Sequence, residues 1–308
     1  MTAAAAPDPA PRPVASRVGV LAGPAIFVGL WSTGFIAAGL ALPYSGALTF
    51  LALRFVLVVP LLAGLALLAG ARWPSGLRNW LHLAIAGVLV QAVYLGGVFI
   101  AIGLGLGPAE TALIVSLHPV VVAVLAGPML GERVIWRQWL GLALGLAGVA
   151  LVVADGLSGN LALWTAYLAC GASLAGIALG TLYQKRFCGS FDLRTGNAVQ
   201  FMAAGLVALP LAWGLEGLAV TWSADFAGAL VWAVLVLSIG AISLLYWMLR
   251  RGAATAVSSL FFMVPPVTAL MSWAIFGESF GLEELAGMLL AVTGVALAQA
   301  RTGGRRKA

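Results

Sequence analysis

Charge is what this sequence has least of. Asp, Glu, Lys and Arg make up 8% of its 308 residues, where a soluble domain carries roughly a quarter. So few charges cannot build a water-facing surface for a chain this long, which excludes a soluble globular protein. Cysteine is almost missing. Cys170 lies inside an apolar run and Cys188 just past its end, and two such thiols make no disulfide framework. Both read as ordinary small residues. Histidine is as scarce, with His82 and His118 alone, and no HExxH occurs. No metal cluster is expected, and no cofactor. No acid lies deep in any apolar run, so an intramembrane enzyme built on paired carboxylates or on a nucleophile with its base has little to work with. A retinal protein needs a buried lysine, and Lys185 and Lys307 both stand outside the runs.

What is present is apolar. The chain is 62% hydrophobic, with a mean hydropathy of +1.07. That composition describes an all-α integral membrane protein in a lipid bilayer. A β-barrel would alternate polar and apolar residues, and these runs do not. Residues 1–17 are rich in Ala and Pro, without apolar periodicity or the order of a signal peptide, and are expected to form a disordered cytoplasmic leader. Ten apolar runs follow, at about 20–40, 47–69, 80–103, 109–130, 138–154, 161–184, 196–214, 227–249, 253–276 and 284–300. Each reaches the roughly 17–20 residues that a membrane-crossing helix needs, the fifth and tenth barely. Residues 301–308 form a basic tail.

Fifteen of the 16 Lys and Arg residues fall in the leader, the second, fourth, sixth and eighth loops, or the tail. The intervening loops carry none, and Arg54 is the remaining one. The positive-inside rule then puts both termini in the cytoplasm. This placement accounts for the net charge of +6 without nucleic acid.

The runs repeat. Shifted by 146 positions, Pro119 falls on Pro265, Gly131-Glu132 on Gly277-Glu278, Gly141 on Gly287, and the four residues from Gly148 on those from Gly294. The same shift takes Phe55 to Phe201 and Gly34 to Gly180. The period is half the chain, which marks a duplication and not a solenoid. Residues 18–154 are expected to form one five-helix repeat and 161–300 a second. An odd number of spans per copy inverts the second copy in the membrane, the architecture of secondary transporters.

With these features in place, the chain resembles the EamA-type branch of the drug/metabolite transporter superfamily. The resemblance rests on Trp31-Ser32-Thr33-Gly34, Arg54-Phe55, Gly107-Pro108-Ala109 and the paired Pro, Gly-Glu and Gly-Val patterns. It implies ten transmembrane helices as two inverted repeats around a central cavity lined by spans one, three, four, six, eight and nine, with spans five and ten behind. A bacterial amino-acid exporter of that family is similar in architecture and in the Trp31 segment, and departs at His118-Pro119. The expected function is export of amino acids and related small metabolites across a bacterial inner membrane by alternating access, from a monomer or weak homodimer. Nucleosides or drug-like cations coupled to protons are the alternative cargo, and an intramembrane enzyme the remote one.

Candidate residues follow from depth and chemistry. Pro119, Pro265 and Pro266 break helical hydrogen bonds at mid-membrane, where freed carbonyls must face protein or water. His118 is ionisable at that depth, either as a substrate contact, a proton carrier or a neutral core residue. Trp31, Gln91, Tyr94, Trp164, Tyr167, Ser243 and Phe262 fall on spans assigned to the cavity. Arg54 reads either as an interhelix tie, with Glu110 the nearest counter-charge by depth, or as an anchor for a substrate carboxylate. Trp73, Trp80, Trp136, Trp139, Trp213 and Trp222 sit at span ends, as an aromatic belt does. Gly141, Gly145, Gly148, Gly287 and Gly294 offer small-residue packing faces.

Overall fold

The computed structural model of the chain describes residues 17–130, 161–251 and 254–299, with 136–137, 139–141, 143–144 and 146–148 between them. The leader's first 16 residues, Glu132, Gly145, most of the expected run 138–154 and the tail lie outside the described residues. Among those described, the structure is helical, apart from one isolated antiparallel bridge between Ser45 and Val220.

The helices are α1 (Arg17–Ala41), α2 (Ala47–Leu68), α3 (Leu77–Gly103), α4 (Pro108–Val115, then His118–Leu130), α5 (Leu161–Phe187), α6 (Leu193–Glu216) and α7 (Ala224–Arg251). Two more follow: α8 (Ala254–Ser258, Ser259–Met263 and Val264–Phe276) and α9 (Leu282–Gln299). Seven, α1 to α7, are long and apolar enough to cross a membrane. The stretches Leu260–Phe276 and Leu285–Gly294 of α8 and α9 are apolar but shorter.

Helix ends are set by local chemistry. Asp192 accepts from the Arg194 N–H at 2.9 Å and starts α6, and Ser223 accepts from the Phe226 N–H at 3.1 Å and starts α7. Gly217 and Gly277, at φ of 66° and 70°, end α6 and α8 in the left-handed conformation that glycine adopts without strain. Around the outside, long apolar side chains such as Leu68, Leu168, Leu206 and Leu289 stand exposed. They suit lipid. Trp136, Trp139, Trp213 and Trp222 are exposed as well, Trp73 marginally so, whereas Trp31 is buried.

α2 and α6 pack along each other extensively. They run antiparallel. The last residue of α6, Glu216, accepts from the Leu48 and Thr49 N–H groups at 3.0 and 2.7 Å and from the Thr49 hydroxyl at 2.7 Å. That carboxylate caps the first turn of α2, where the helix dipole favours negative charge. At the other end Thr195, in the first turn of α6, donates its hydroxyl to the Arg72 carbonyl at 3.0 Å, just beyond α2. Thr49 and Thr195 are 146 residues apart, and so are Phe55 and Phe201, whose rings pack at 5.7 Å between centroids.

Departures from regular helix recur at the same interval. α3 widens into π-turns over Val88–Tyr94, and α7 over Ala233–Ala241. α4 breaks at Ser116-Leu117 before His118-Pro119, and α8 tightens into a 3-10 turn over Ser259–Met263 before Pro265. Proline's missing N–H accounts for the two breaks. The π-turns are accommodated by hydroxyls: Ser173 of α5 donates to the Tyr94 carbonyl at 2.8 Å, and Ser238 to the Ala233 carbonyl at 2.8 Å.

Close approach at α3 depends on glycine. A Cβ on Gly97 would stand 2.4 Å from the Ala169 carbonyl oxygen and 2.7 Å from the Ser173 Cβ, while one on Gly96 would meet nothing within 4 Å. Gly97→Ala therefore pushes α3 off α5 and costs about 1–3 kcal/mol or more. Gly96→Ala removes backbone freedom at an open site and stabilises by about 0.5–1 kcal/mol. Thermal unfolding in detergent is expected to show Gly97→Ala well below the parent protein and Gly96→Ala at or above it.

Candidate functional site

The interior is arranged around Arg54. It sits in the second turn of α2, buried to 2% exposure. Its Nε donates to the Ser238 hydroxyl of α7 at 2.8 Å. The Ser238 hydroxyl in turn donates to Ala233, so both of its roles are used and its orientation is set. Glu110, the nearest counter-charge to Arg54 by depth, makes no ion pair with it among the described residues. Glu110 accepts from the Tyr167 hydroxyl at 2.7 Å, one helix boundary away on α5. Glu110 opens α4, which lies alongside α5, so the carboxylate meets the hydroxyl of its neighbour before it can reach α2. One hydrogen bond thus joins Arg54 of α2 to a neutral hydroxyl of α7. A guanidinium at this depth costs about 2.5–3.5 kcal/mol or more.

Beside the guanidinium lies a cavity of about 30 Å³, bounded by Trp31, Arg54, Tyr94, Phe99, Leu237 and Ile242 among others. That is room for about two water molecules. Trp31 donates its Nε1–H to the Tyr94 hydroxyl at 3.0 Å, with the rings stacked at 6.1 Å. Trp31 also packs edge-on against Phe261 at 5.0 Å, and Phe261 edge-on against His118 at 4.7 Å. An aromatic chain therefore links the cavity wall to the break in α4.

Layers of different chemistry stand on the two sides of the cavity. Toward the end of the bundle that carries Glu216, Asp225 and Glu278, the acidic end, Phe50 stacks on Phe99 at 5.2 Å and meets Phe226 edge-on at 5.8 Å, all three buried. Phe50 is one helical turn before Arg54 on the same face of α2. Toward the other end, which carries Arg72, Lys185, Arg194 and Arg250, stands a chain of amides. Tyr246 donates to the side-chain Oε1 of Gln200 at 2.7 Å, and the Gln200 side-chain Nε2 donates to Oε1 of Gln184 at 2.9 Å. Asn197 and Ser243 are joined alongside at 3.1 Å. Beyond Tyr246 a pocket of about 170 Å³ opens between Gln184, Lys185, Leu249 and Arg250. Ile242, Tyr246 and Leu249 lie on one face of α7, which runs from cavity to pocket.

Of the residues expected at the site, Trp31 and Tyr94 line the cavity and Arg54 reaches it. Gln91 is fully buried on the π-turn of α3, beside Tyr246 but with no well-aligned hydrogen bond. His118 is fully buried, and neither ring nitrogen has a partner among the described residues. Phe262 packs on Val120. Pro119 and Pro265 follow the two helix breaks, with Pro266 after the second. Ser243 belongs to the amide layer. Tyr167 is held by Glu110 near a second pocket, of about 190 Å³, between Glu110 and Glu278 at the acidic end. Trp164 is 47% exposed near the start of α5 and does not border the central cavity.

Ser238, Gln184, Gln200, Tyr246 and the three-phenylalanine plug went unnoticed in the sequence. A signal for Gln200 was available: it stands 146 residues after Arg54. Outside the spans, Cys188 is buried against the His82 carbonyl, and burial pushes its thiol up to about 12. Cys170 is also buried, and both thiols are free. Among the described residues no group of three His, Cys, Asp or Glu could hold a metal.

Comparison with known proteins covers nearly the whole chain. Residues 19–154 and 163–299 each match the EamA-like transporter family. An uncharacterized transporter of Bacillus subtilis, YvbV, is 28% identical over 92% of each chain. A probable terminal-alkyne amino-acid exporter of Streptantibioticus cattleyicolor is 31% identical over 65% of this chain and 67% of its own. The uncharacterized inner membrane transporter YedA of Escherichia coli K12 is 27% identical over 87% and 86%. A solved crystal structure 20% identical in sequence covers 92% of this chain and 98% of its own, with a TM-score of 0.67. The fold is therefore one already observed.

The amide layer yields a double-substitution test. Gln200→Leu strands the Tyr246 hydroxyl and the Gln184 amide in the interior, at about 1–3 kcal/mol for each buried unsatisfied group. Adding Tyr246→Phe removes one stranded hydroxyl. In thermal unfolding, the double variant is expected to be more stable than Gln200→Leu, and a purely additive loss would dissolve the link.

Proposed function

The chain belongs to the EamA-like transporter family, and from that premise we propose that it exports amino acids and related small metabolites by alternating access. It is a multi-pass membrane protein, and no catalytic step is assigned to it. The observation that carries the reading is the small cavity at Arg54, flanked toward the acidic end by Phe50, Phe99 and Phe226 and toward the basic end by Gln184, Gln200 and Tyr246. A small space between two packed layers is what an occluded state requires. Opening either closure in turn exposes the cavity to one face at a time.

The repeated irregularities support an inverted duplication of five helices per copy, ten in all. α2 and α6 are equivalent by the 146-residue shift and antiparallel, as copies of opposite orientation are. The π-turns of α3 and α7 and the breaks of α4 and α8 supply matching places for the helices to bend. The basic end, by the positive-inside rule, faces the cytoplasm, and a bacterial inner membrane is the proposed location. The exporter from Streptantibioticus cattleyicolor supports amino acids as the cargo class. Aromatic and aliphatic walls around a lone cation fit a small solute with an apolar part.

Purified protein reconstituted into liposomes loaded with labelled amino acids tests the proposal. Saturable efflux of at least one of them above protein-free liposomes is expected. Leakage equal to that of protein-free liposomes for all of them would remove the cargo assignment.

A further inference from the structure

Arg54 has five N–H donors, and one of them is used. Among the described residues its Nη groups have no acceptor, and no carboxylate lies within ion-pair distance. They stand at the wall of the cavity. A cation without a counter-charge in a water-poor interior creates a strong local preference for an anion.

The second repeat shows that the fold does not need this charge. Gln200 occupies the position 146 residues on, in the antiparallel partner helix. It is buried like Arg54, but it is neutral, accepts from Tyr246 and donates to Gln184. One copy of the position is saturated by protein groups. The other keeps a planar fork of donors, held in place by Ser238, and leaves it facing empty space. A guanidinium fork matches the two oxygens of a carboxylate. The cavity's volume, room for about two waters, suits a carboxylate group in their place. The rest of the solute requires the neighbouring walls to part.

We propose that Arg54 binds the carboxylate of the transported solute, with Ser238 positioning the guanidinium, so that the cargo class is the small carboxylate with an apolar body. The α-amino group is then secondary to recognition. This rests on the reading of the cavity as the transport site. The preference is set by charge and fork geometry, and Trp31 and Phe99 supply the apolar surface beside it.

The test is binding to purified protein in nanodiscs, apart from any flux assay. The probes are L-phenylalanine, 3-phenylpropionate, which lacks the amine, and L-phenylalanine methyl ester, which lacks the carboxylate. Both carboxylates are expected to bind at least tenfold more tightly than the ester. In Arg54→Gln that ratio falls to about one. Arg54→Lys, which keeps the charge and loses the fork, gives an intermediate ratio. Arg54→Gln should unfold at the same temperature as the parent protein or higher, because a buried charge has been removed. A purely structural arginine gives the opposite pattern: a lower unfolding temperature with an unchanged ratio. Equal affinity for acid and ester, or no binding of either carboxylate, overturns the assignment. The two readings fail separately. Tight binding of 3-phenylpropionate with no amino-acid efflux from liposomes leaves the anchor and removes amino acids as cargo. Amino-acid efflux with no acid-over-ester preference does the reverse.

Discussion

Hydrocarbon offers no partner for a broken hydrogen bond, and this constraint shapes the whole interior. Every place where a helix of this bundle departs from regularity must be repaired from within the chain. The π-turn of α3 is repaired by Ser173 from α5, and that of α7 by its own Ser238. The break in α4 is shortened by Ser116, whose hydroxyl returns to the Leu113 carbonyl at 2.6 Å. Irregular backbone is thereby confined to the inside of the bundle. There it bends helices around a space instead of exposing polar groups to lipid.

The two halves of the chain use equivalent backbone positions for different chemistry. Thr49 is held by the carboxylate of Glu216, while the hydroxyl of its counterpart Thr195 turns to the Arg72 and Asp192 carbonyls. Arg54 is open to the cavity, and Gln200 is closed within an amide chain. The plug toward the acidic end is three phenyl rings; the plug toward the basic end is hydrogen bonded. Ring stacking is broken without stranding a polar group. Opening the amide layer requires water or solute to take over its hydrogen bonds. The two layers thus differ in what it takes to part them.

Much of the scaffold could be read before the structure. The run expected at 47–69 is α2, Ala47–Leu68, because a continuous apolar stretch bounded by Gly and polar residues leaves few other options. The breaks near Pro119 and Pro265 were legible because proline removes a donor wherever it stands. The π-turns were not, since neither Val88–Tyr94 nor Ala233–Ala241 contains proline or any other local mark that demands a wide turn. They follow from hydroxyls and from close packing against neighbouring helices. Side-chain placement was harder still. A helix that is apolar all round has no face to read, so Trp164 and Trp31 looked alike, although one is half exposed and the other borders the cavity. Ser238 stands 184 residues from Arg54, and no local pattern connects them. Depth alone pointed to Glu110, which Tyr167 holds instead.

Alternation about a closed centre is tested most directly by measuring both ends of the bundle at once. Spin labels on cysteines replacing the exposed Leu104 and Ser279 report the acidic end, and labels replacing Ser75 and Ser190 report the basic end. Pulsed electron resonance distances are then recorded in nanodiscs with and without L-phenylalanine. Two distances at each end are expected, with the ligand shifting the ends in opposite directions. A single unchanging distance at both ends, or both ends lengthening together, would contradict alternating access around Arg54.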